Sequence, residues 1–372
     1  MKKIMITIGT RPEAIKMASV IRSLESMAEI FKVILVSTAQ HREMLDQVME
    51  VFGLRPDFDL DIMRPNQTLS SSTARALEGM GRILSETRPD MLLVQGDTNT
   101  VLAGALAAHY NKVPVGHVEA GLRTDNPYLP FPEEMNRRLT SRLTTLHFAP
   151  TQTARENLLQ EGVDEARVFV TGNTVIDALL WTAENYPDAL PDVAKGILDR
   201  GNRLILVTAH RRESLDYHLA NIARAIKDLV QAHSDIEFVY PVHLNPKVQK
   251  TIYGELGDME RVHLIKPVNY PAFVQLMKNA YLVLTDSGGV QEEAPTFGKP
   301  VLVMREVTER AEAVEAGVAQ LVGMDRANIV DRTSRLIESP EIYAAFAKKA
   351  NPFGDGRASE RIAELIRSFF QV

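Results

Sequence analysis

Apolar and β-branched residues come in short runs along nearly the whole chain, and stretches with helical spacing separate them. KIMITIGT, FKVILVSTA, MLLVQGD, VPVGHVEA, LHFAP and RVFVTGNT are almost continuously apolar. Parallel strands covered on both faces have this pattern, because neither side has to meet water. SSTARALEGMGRILSE and NTVLAGALAAHY carry helical spacing between them. The alternation predicts a doubly wound parallel sheet. It restarts near residue 200 with RLILVTAH, IEFVYPVH, RVHLIKPV, YLVLTDSGG and KPVLVMRE, and with the helix LANIARAIKDLVQAH. The expected fold class is α/β, with two Rossmann-like doubly wound domains over 1–175 and 200–355. AENYPDALPDVAKGILDRGN is richer in proline and charge and reads as their connection, 176–199. GRASERIAELIRSFF reads as an amphipathic helix, about 356–372, that packs back on the first domain.

Open α/β sheets bind ligands beyond the carboxyl ends of their strands. The polar residues of this chain gather there: Gly9-Thr10-Arg11, Gly96-Asp97-Thr98, His117 to Glu119, His210 to Glu213, His243, and Asp286 to Gly289. A cleft between the two domains is the expected site. GTRPEAIK opens a helix with Pro12 near its first position, so free N–H groups, Arg11 and Lys16 suit an anion. Its plainer reading is an ordinary strand-to-helix turn. TDSGGVQEEAP places Ser287, Gly288 and Gly289 where backbone N–H groups can approach a phosphate, and Glu292 or Glu293 where one carboxylate can accept hydroxyls. Its plainer reading is an acidic first helical turn. AHRRES sets His210 beside Arg211 and Arg212, which suits phosphate, although one arginine can simply pair with Glu213. GHVEAGLRTDNPYLPFPEEMNRR follows a strand with Glu119, Asp125, Glu133 and Glu134, stiffened by Pro127, Pro130 and Pro132.

Composition narrows the chemistry. The 372 residues are 45% hydrophobic and 24% charged, an ordinary globular balance with length for two domains. A net charge of −6 gives no general attraction to nucleic acid or anionic membrane. With no cysteine there is no disulfide, thiol nucleophile or thiolate metal site. The nine histidines form no H-E-x-x-H, so no metal site is expected. MKKIMITIGTRPE is broken by Gly9 and Pro12, too soon for a signal peptide or a membrane span, and the cytoplasm is the expected compartment. G-x-S-x-G, the P-loop and G-x-G-x-x-G are all absent, which removes the main support for a nicotinamide enzyme.

In this order GTRPEAIKMA, TAQHREMLDQV, GDTNT, GHVEAGLRT, PEEMNRRL, TGNTVIDAL, HRRES, YPVHLNP, LTDSGGVQEEAP, GKPVLVMRE and NPFGDGRASERI resemble the non-hydrolysing UDP-N-acetylglucosamine 2-epimerases. The resemblance covers nearly the whole chain. It implies two domains like those of the B-type glycosyltransferases and interconversion of UDP-N-acetylglucosamine and UDP-N-acetylmannosamine, feeding surface glycans. The implied route breaks the C1–O bond to UDP and removes the C2 proton, giving 2-acetamidoglucal. UDP then adds back with a proton delivered to the opposite face, and no cofactor is needed. The resemblance implies acid–base roles for Asp97, Glu119 and Glu133, and a place near the sugar and diphosphate for His210. It puts Arg11, Lys16, Ser287, Gly288, Gly289 and Arg310 around the departing UDP, Glu293 on the ribose and Phe273 by the uracil. A homodimer is usual in the family.

The resemblance also implies a second, regulatory nucleotide-sugar site, through Gln40, Arg42, Glu43, Glu134, Arg211 and His243. Asn66 stands where regulated relatives carry arginine, which predicts a weakened second site. Ala311 stands where many relatives carry proline, which predicts a looser loop at Arg310, and Val268 replaces a polar residue near the base. Three other functions share parts of the pattern: a hydrolysing epimerase that releases UDP, a B-type glycosyltransferase, and a non-enzymatic nucleotide-sugar sensor.

Overall fold

The apolar runs become two parallel sheets in a computed structural model that describes residues 1–39, 42–64, 66–124, 126–210 and 217–372, without the side chains of Arg42, Glu43 and Tyr217. The chain divides into two compact units, Met1–Ala178 with Phe353–Val372, and Leu179–Pro352. The strands of unit 1 are β1 (Lys2–Ile8), β2 (Phe31–Ser37), β3 (Phe58–Asp59), β4 (Met91–Gln95), β5 (Val115–Val118), β6 (Leu146–Ala149) and β7 (Val168–Val170). Among the described residues they form a sheet of order β3-β2-β1-β4-β5-β6-β7, with every pairing parallel. Ile4 pairs with Val33 on one side and Met91 on the other. Met5, Val36, Met80, Leu92, Val94 and Val101 close one core beneath it. Each such side chain contributes about 1.5–3 kcal/mol relative to exposure.

Unit 2 holds β8 (Arg203–Thr208), β9 (Ile236–Pro241), β10 (Val262–Ile265), β11 (Leu282–Thr285), β12 (Val301–Val303) and β13 (Ala319–Leu321). Their order is β10-β9-β8-β11-β12-β13, again all parallel. Its core gathers Ile205, Val207, Phe238, Tyr240, Leu284 and Leu302. In both sheets the chain leaves the first strand in one direction and later returns to its other side. The switch points are β1/β4 and β8/β11, where an open α/β sheet offers a crevice.

The strands that the pattern predicts are present, trimmed at their ends. β3 and β13 were not predicted: they are two and three residues long and sit at sheet edges, too short to show a period. The stretch 176–199 is helical rather than bare linker, with helices Thr174–Asn185 and Asp192–Asp199 around a short 3-10 turn, Pro187–Ala189. Gln275 Nε2 donates to the carbonyls of Ala183 (3.0 Å) and Tyr186 (2.9 Å) and ties this stretch into unit 2. The C-terminal helix Ala358–Phe370 buries Ile362, Ala363 and Ile366 and belongs to unit 1. Asp177 receives the N–H groups of Ala358 and Ser359 at 3.2 and 2.7 Å, capping that helix from within unit 1. Among the described residues no helix is long and apolar enough to cross a membrane.

Candidate active site

At the first switch point, two loops are tied together by one buried carboxylate. Gly9 follows β1, and a Cβ there would overlap the hydroxyls of Thr38 and Thr100, so only glycine fits. Glu13, in the first turn of the Arg11–Glu25 helix, accepts from Gly9 N (2.9 Å), Thr10 N (2.6 Å) and Thr10 Oγ1 (2.8 Å) with Oε2. Its Oε1 accepts from Thr98 Oγ1 at 2.7 Å, across 85 residues. Burial pushes the Glu13 carboxyl up from its usual range, against the hydrogen bonds of Thr98, Thr10 and Gly9. Arg11 is exposed at the mouth of this turn.

The second loop presents Asp97. His117, fully buried on β5, places Nε2 2.7 Å from the Gly96 carbonyl. A carbonyl only accepts, so Nε2 carries the proton. Asn136 Nδ2 donates to Asp97 O and to Asn99 Oδ1, both at 2.9 Å, and Arg137 Nη2 donates to Asp97 Oδ2 at 2.7 Å. Asp97 itself is half-buried.

Glu119 comes directly after β5 with φ of 64°, in the left-handed region that a non-glycine residue rarely adopts. Gly121 (φ 94°) completes the turn, where any Cβ would overlap the Ala154 carbonyl. The side chain of Glu119 is 6% exposed. Lys16 Nζ donates to Oε1 at 2.6 Å and Oε2 at 2.7 Å, Asn173 Nδ2 donates to Oε1 at 3.3 Å, and Gln95 Nε2 donates to Oε2. A strained backbone held by this many donors fixes a carboxylate in place, as catalysis requires. Lys16 is thus the counter-ion of Glu119 in this structure.

Adjacent glutamates then have opposite fates. Glu133 begins the Glu133–Leu143 helix, half-buried and without a hydrogen-bonding partner among the described residues. Pro130 and Pro132, both after cis peptide bonds, lead into it. Glu134 is 0% exposed. It accepts from Arg138 Nε at 2.6 Å and Thr124 N at 3.1 Å, with Arg137 Nη1 at 3.4 Å. These contacts make an interior ion cluster around Glu134.

In unit 2, His210 follows β8. Its N–H donates to Asp286 Oδ2 at 2.7 Å, and its Nδ1 lies 3.6 Å from Asp286 Oδ1. The ring stacks on exposed His243 with centroids 5.3 Å apart. Tyr240, buried beneath, donates to the Ala209 carbonyl at 2.7 Å and supports the turn. Ser287 precedes the short helix Gly288–Glu293, and its N–H donates to Thr285 Oγ1 at 2.9 Å. Phe273 is half-buried on the Tyr270–Asn279 helix, with Tyr270 Oη 3.4 Å from Glu293 Oε1. Arg310 Nε donates to Glu292 at 2.7 Å and Nη1 to Glu309 at 3.0 Å. Arg310 directly precedes the Ala311–Glu315 helix, and Thr308 Oγ1 accepts its N–H at 3.1 Å. Val268 is half-buried just before the Tyr270–Asn279 helix, and Asn66 is exposed with φ of 53°.

Gln40, Asp125 and Arg211 to Glu213, with the side chains of Arg42 and Glu43, lie outside the described residues. Glu13, Gln95, Asn136, Arg137, Asn173, Tyr240 and Asp286 are the supports that the sequence reading did not assign. Glu13 carried a local signal, three residues after Thr10 as in a capping box, Arg137 follows Glu134 at helical spacing, and Asp286 ends a strand. Among the described residues no group of three His, Asp or Glu side chains is placed to hold a metal ion.

Fold and turns together define a doubly wound α/β enzyme whose strand ends carry fixed carboxylates and cationic partners. The sequence matches the UDP-N-acetylglucosamine 2-epimerase family over residues 23–367, and the chain belongs to it. It is 50% identical over 380 residues to the UDP-N-acetylglucosamine 2-epimerase of Escherichia coli K12, covering 98% of each chain. The Neisseria meningitidis UDP-GlcNAc 2-epimerase, solved bound to UDP-GlcNAc, is 47% identical with a TM-score of 0.88 over 98% of this chain and 100% of that one. The Methanocaldococcus jannaschii UDP-GlcNAc 2-epimerase, in complex with UDP-GlcNAc and UDP, is 35% identical with a TM-score of 0.79, covering 98% and 99%.

Proposed function

We propose that this chain interconverts UDP-N-acetylglucosamine and UDP-N-acetylmannosamine, and that it does so by elimination and re-addition of UDP. The observation that carries the mechanism is Glu119: a carboxylate in a left-handed backbone, held by Lys16, Gln95 and Asn173. A carboxylate takes the C2 proton as the C1–O bond breaks, and the electron pair left at C2 becomes the C1–C2 double bond of 2-acetamidoglucal. UDP leaves with the electrons of the broken bond. On return, a UDP oxygen attacks C1 and a second carboxyl group delivers a proton to the other face of C2. Two faces ask for two groups, and Glu119 and Glu133 fill these roles with Asp97 beside them. UDP and protons leave and return and no hydride is transferred, so the net reaction consumes no reductant.

Arg11, Lys16, Arg310 and the Ser287-Gly288-Gly289 turn carry the growing charge of the leaving diphosphate. Asp286 fixes the main chain of the turn that carries His210, and His210 serves the sugar and diphosphate. Glu293 holds the ribose hydroxyls and Phe273 the uracil. The protein works in the cytoplasm as a homodimer with nucleotide sugars as its ligands, and its product feeds surface glycans. Incubation with UDP-N-acetylglucosamine alone, followed by chromatography, tests this reading. The expected result is an equilibrium mixture of the two nucleotide sugars. Accumulation of UDP with free N-acetylmannosamine would assign hydrolysis instead, and no turnover would refute the activity.

A further inference from the structure

TGNTVIDAL has no task in the scheme above, yet its asparagine touches the proposed base. Asn173 lies between β7 and the Thr174–Asn185 helix and is 3% exposed. Its Oδ1 accepts from Val175 N at 3.1 Å, which caps the helix and fixes which way the amide faces. Nδ2 is thereby turned to Glu119 Oε1, 3.3 Å away. Capping alone accounts for the oxygen but not for the nitrogen: aspartate or serine would cap as well. Asparagine adds a donor aimed at a buried carboxylate.

Asn173 is itself anchored by the end of the chain. Its N–H donates to the Phe353 carbonyl at 2.7 Å, where the C-terminal segment rejoins unit 1. Gly172 (φ 91°) and Gly354 (φ 136°) pass so closely that a Cβ on Gly172 would lie 3.4 Å from the Gly354 Cα. Arg361 Nη1 donates to Thr171 O at 3.0 Å, and Asp177 caps the C-terminal helix. Residues 171–177 and the returning segment thus form one brace.

We infer that Asn173, braced by the returning C-terminal segment, is a positioning residue for Glu119: its amide holds the carboxylate in its aimed orientation without touching substrate. The inference rests on the acid–base role proposed for Glu119. It places a determinant of rate in the brace, outside the substrate-facing turns.

The test is a set of variants assayed for kcat, KM and the pH dependence of kcat. Asn173→Asp keeps the cap but turns the donor into a second carboxylate. Its melting temperature should stay near wild type and its KM should hold. Its kcat should fall at least roughly tenfold, and the acid limb of its kcat profile should move up by about one pH unit, because a like charge disfavours the ionised base. Asn173→Ser keeps the cap without the charge and should lose roughly tenfold in kcat with the limb unmoved, as expected for one lost charge-assisted bond. It carries the test if Asn173→Asp does not fold. In a Glu119→Gln background either change should cost less than about threefold more, since both act through the same group. Wild-type kcat and profile in both Asn173 variants, or full additivity with Glu119→Gln, would overturn the inference while leaving the base assignment standing. A Glu119→Gln enzyme at wild-type rate would overturn both.

Discussion

Glu119→Gln should lower kcat by about 10²–10⁴-fold with KM little changed. Glutamine keeps the length and shape of the side chain, and its oxygen can still accept from Lys16 or Asn173. What it loses is the ability to take up a proton. The turn should survive, because the backbone of Glu119 is set by Gly121 and by the Ala120 N–H, which donates to Phe148 O at 3.1 Å. Glu133→Gln should fall in the same range by the same argument, and a side chain with no partner among the described residues makes a fold-level explanation harder still. Steady-state kinetics on both variants settle the point. A raised KM at near-normal kcat would leave Glu119 a binding role only.

Between pH 6.5 and 4 two buried histidines should draw down the stability of the protein. Burial lowers His117 to about 4, with Arg123 and Arg137 adding to the effect against the hydrogen bond to Gly96. Burial, with His117, Arg123 and Arg167, lowers its cross-strand partner His147 to about 3. Both are neutral in the fold, and both would take a proton in the unfolded chain near 6.5. Below that pH the unfolded state therefore binds more protons, so stability falls as pH falls, and the loss continues until the folded-state values are reached. Each histidine contributes up to about 1.4 kcal/mol per pH unit, on the order of 3 kcal/mol for His117 over its window. Urea melts at pH 7, 6 and 5 would show it. His147→Leu should flatten the slope, and parallel curves for the variant and wild type would contradict the assignment.

The fold was largely readable because strands buried on both faces need no alternation, and a run such as MLLVQ has few other uses. Position along the chain then marked the candidate site: Asp97, Glu119, His210 and Ser287 all stand just past strand ends. What could not be read is which charge meets which. Lys16 reads as an anion binder from GTRPEAIK, but it meets Glu119 across 103 residues. Arg310 reads the same way and meets Glu292. Gln95 and Asn173 are neutral amides with no period or charge to mark them, and they matter only because the sheet brings them to Glu119. EEMNRR was more open to reading: Arg137 and Arg138 lie three and four residues after Glu134, the spacing of neighbours on a helix. That spacing separates the buried Glu134 from the half-buried Glu133.

Proton exchange at C2 is the centre of this account, and one measurement reaches it directly. The protein is incubated with UDP-N-acetylglucosamine in heavy water, and the UDP-N-acetylmannosamine formed is examined by NMR and mass spectrometry. Each inversion should leave one solvent deuteron at C2. Product that keeps its original C2 hydrogen would contradict the elimination route and the roles given to Glu119 and Glu133.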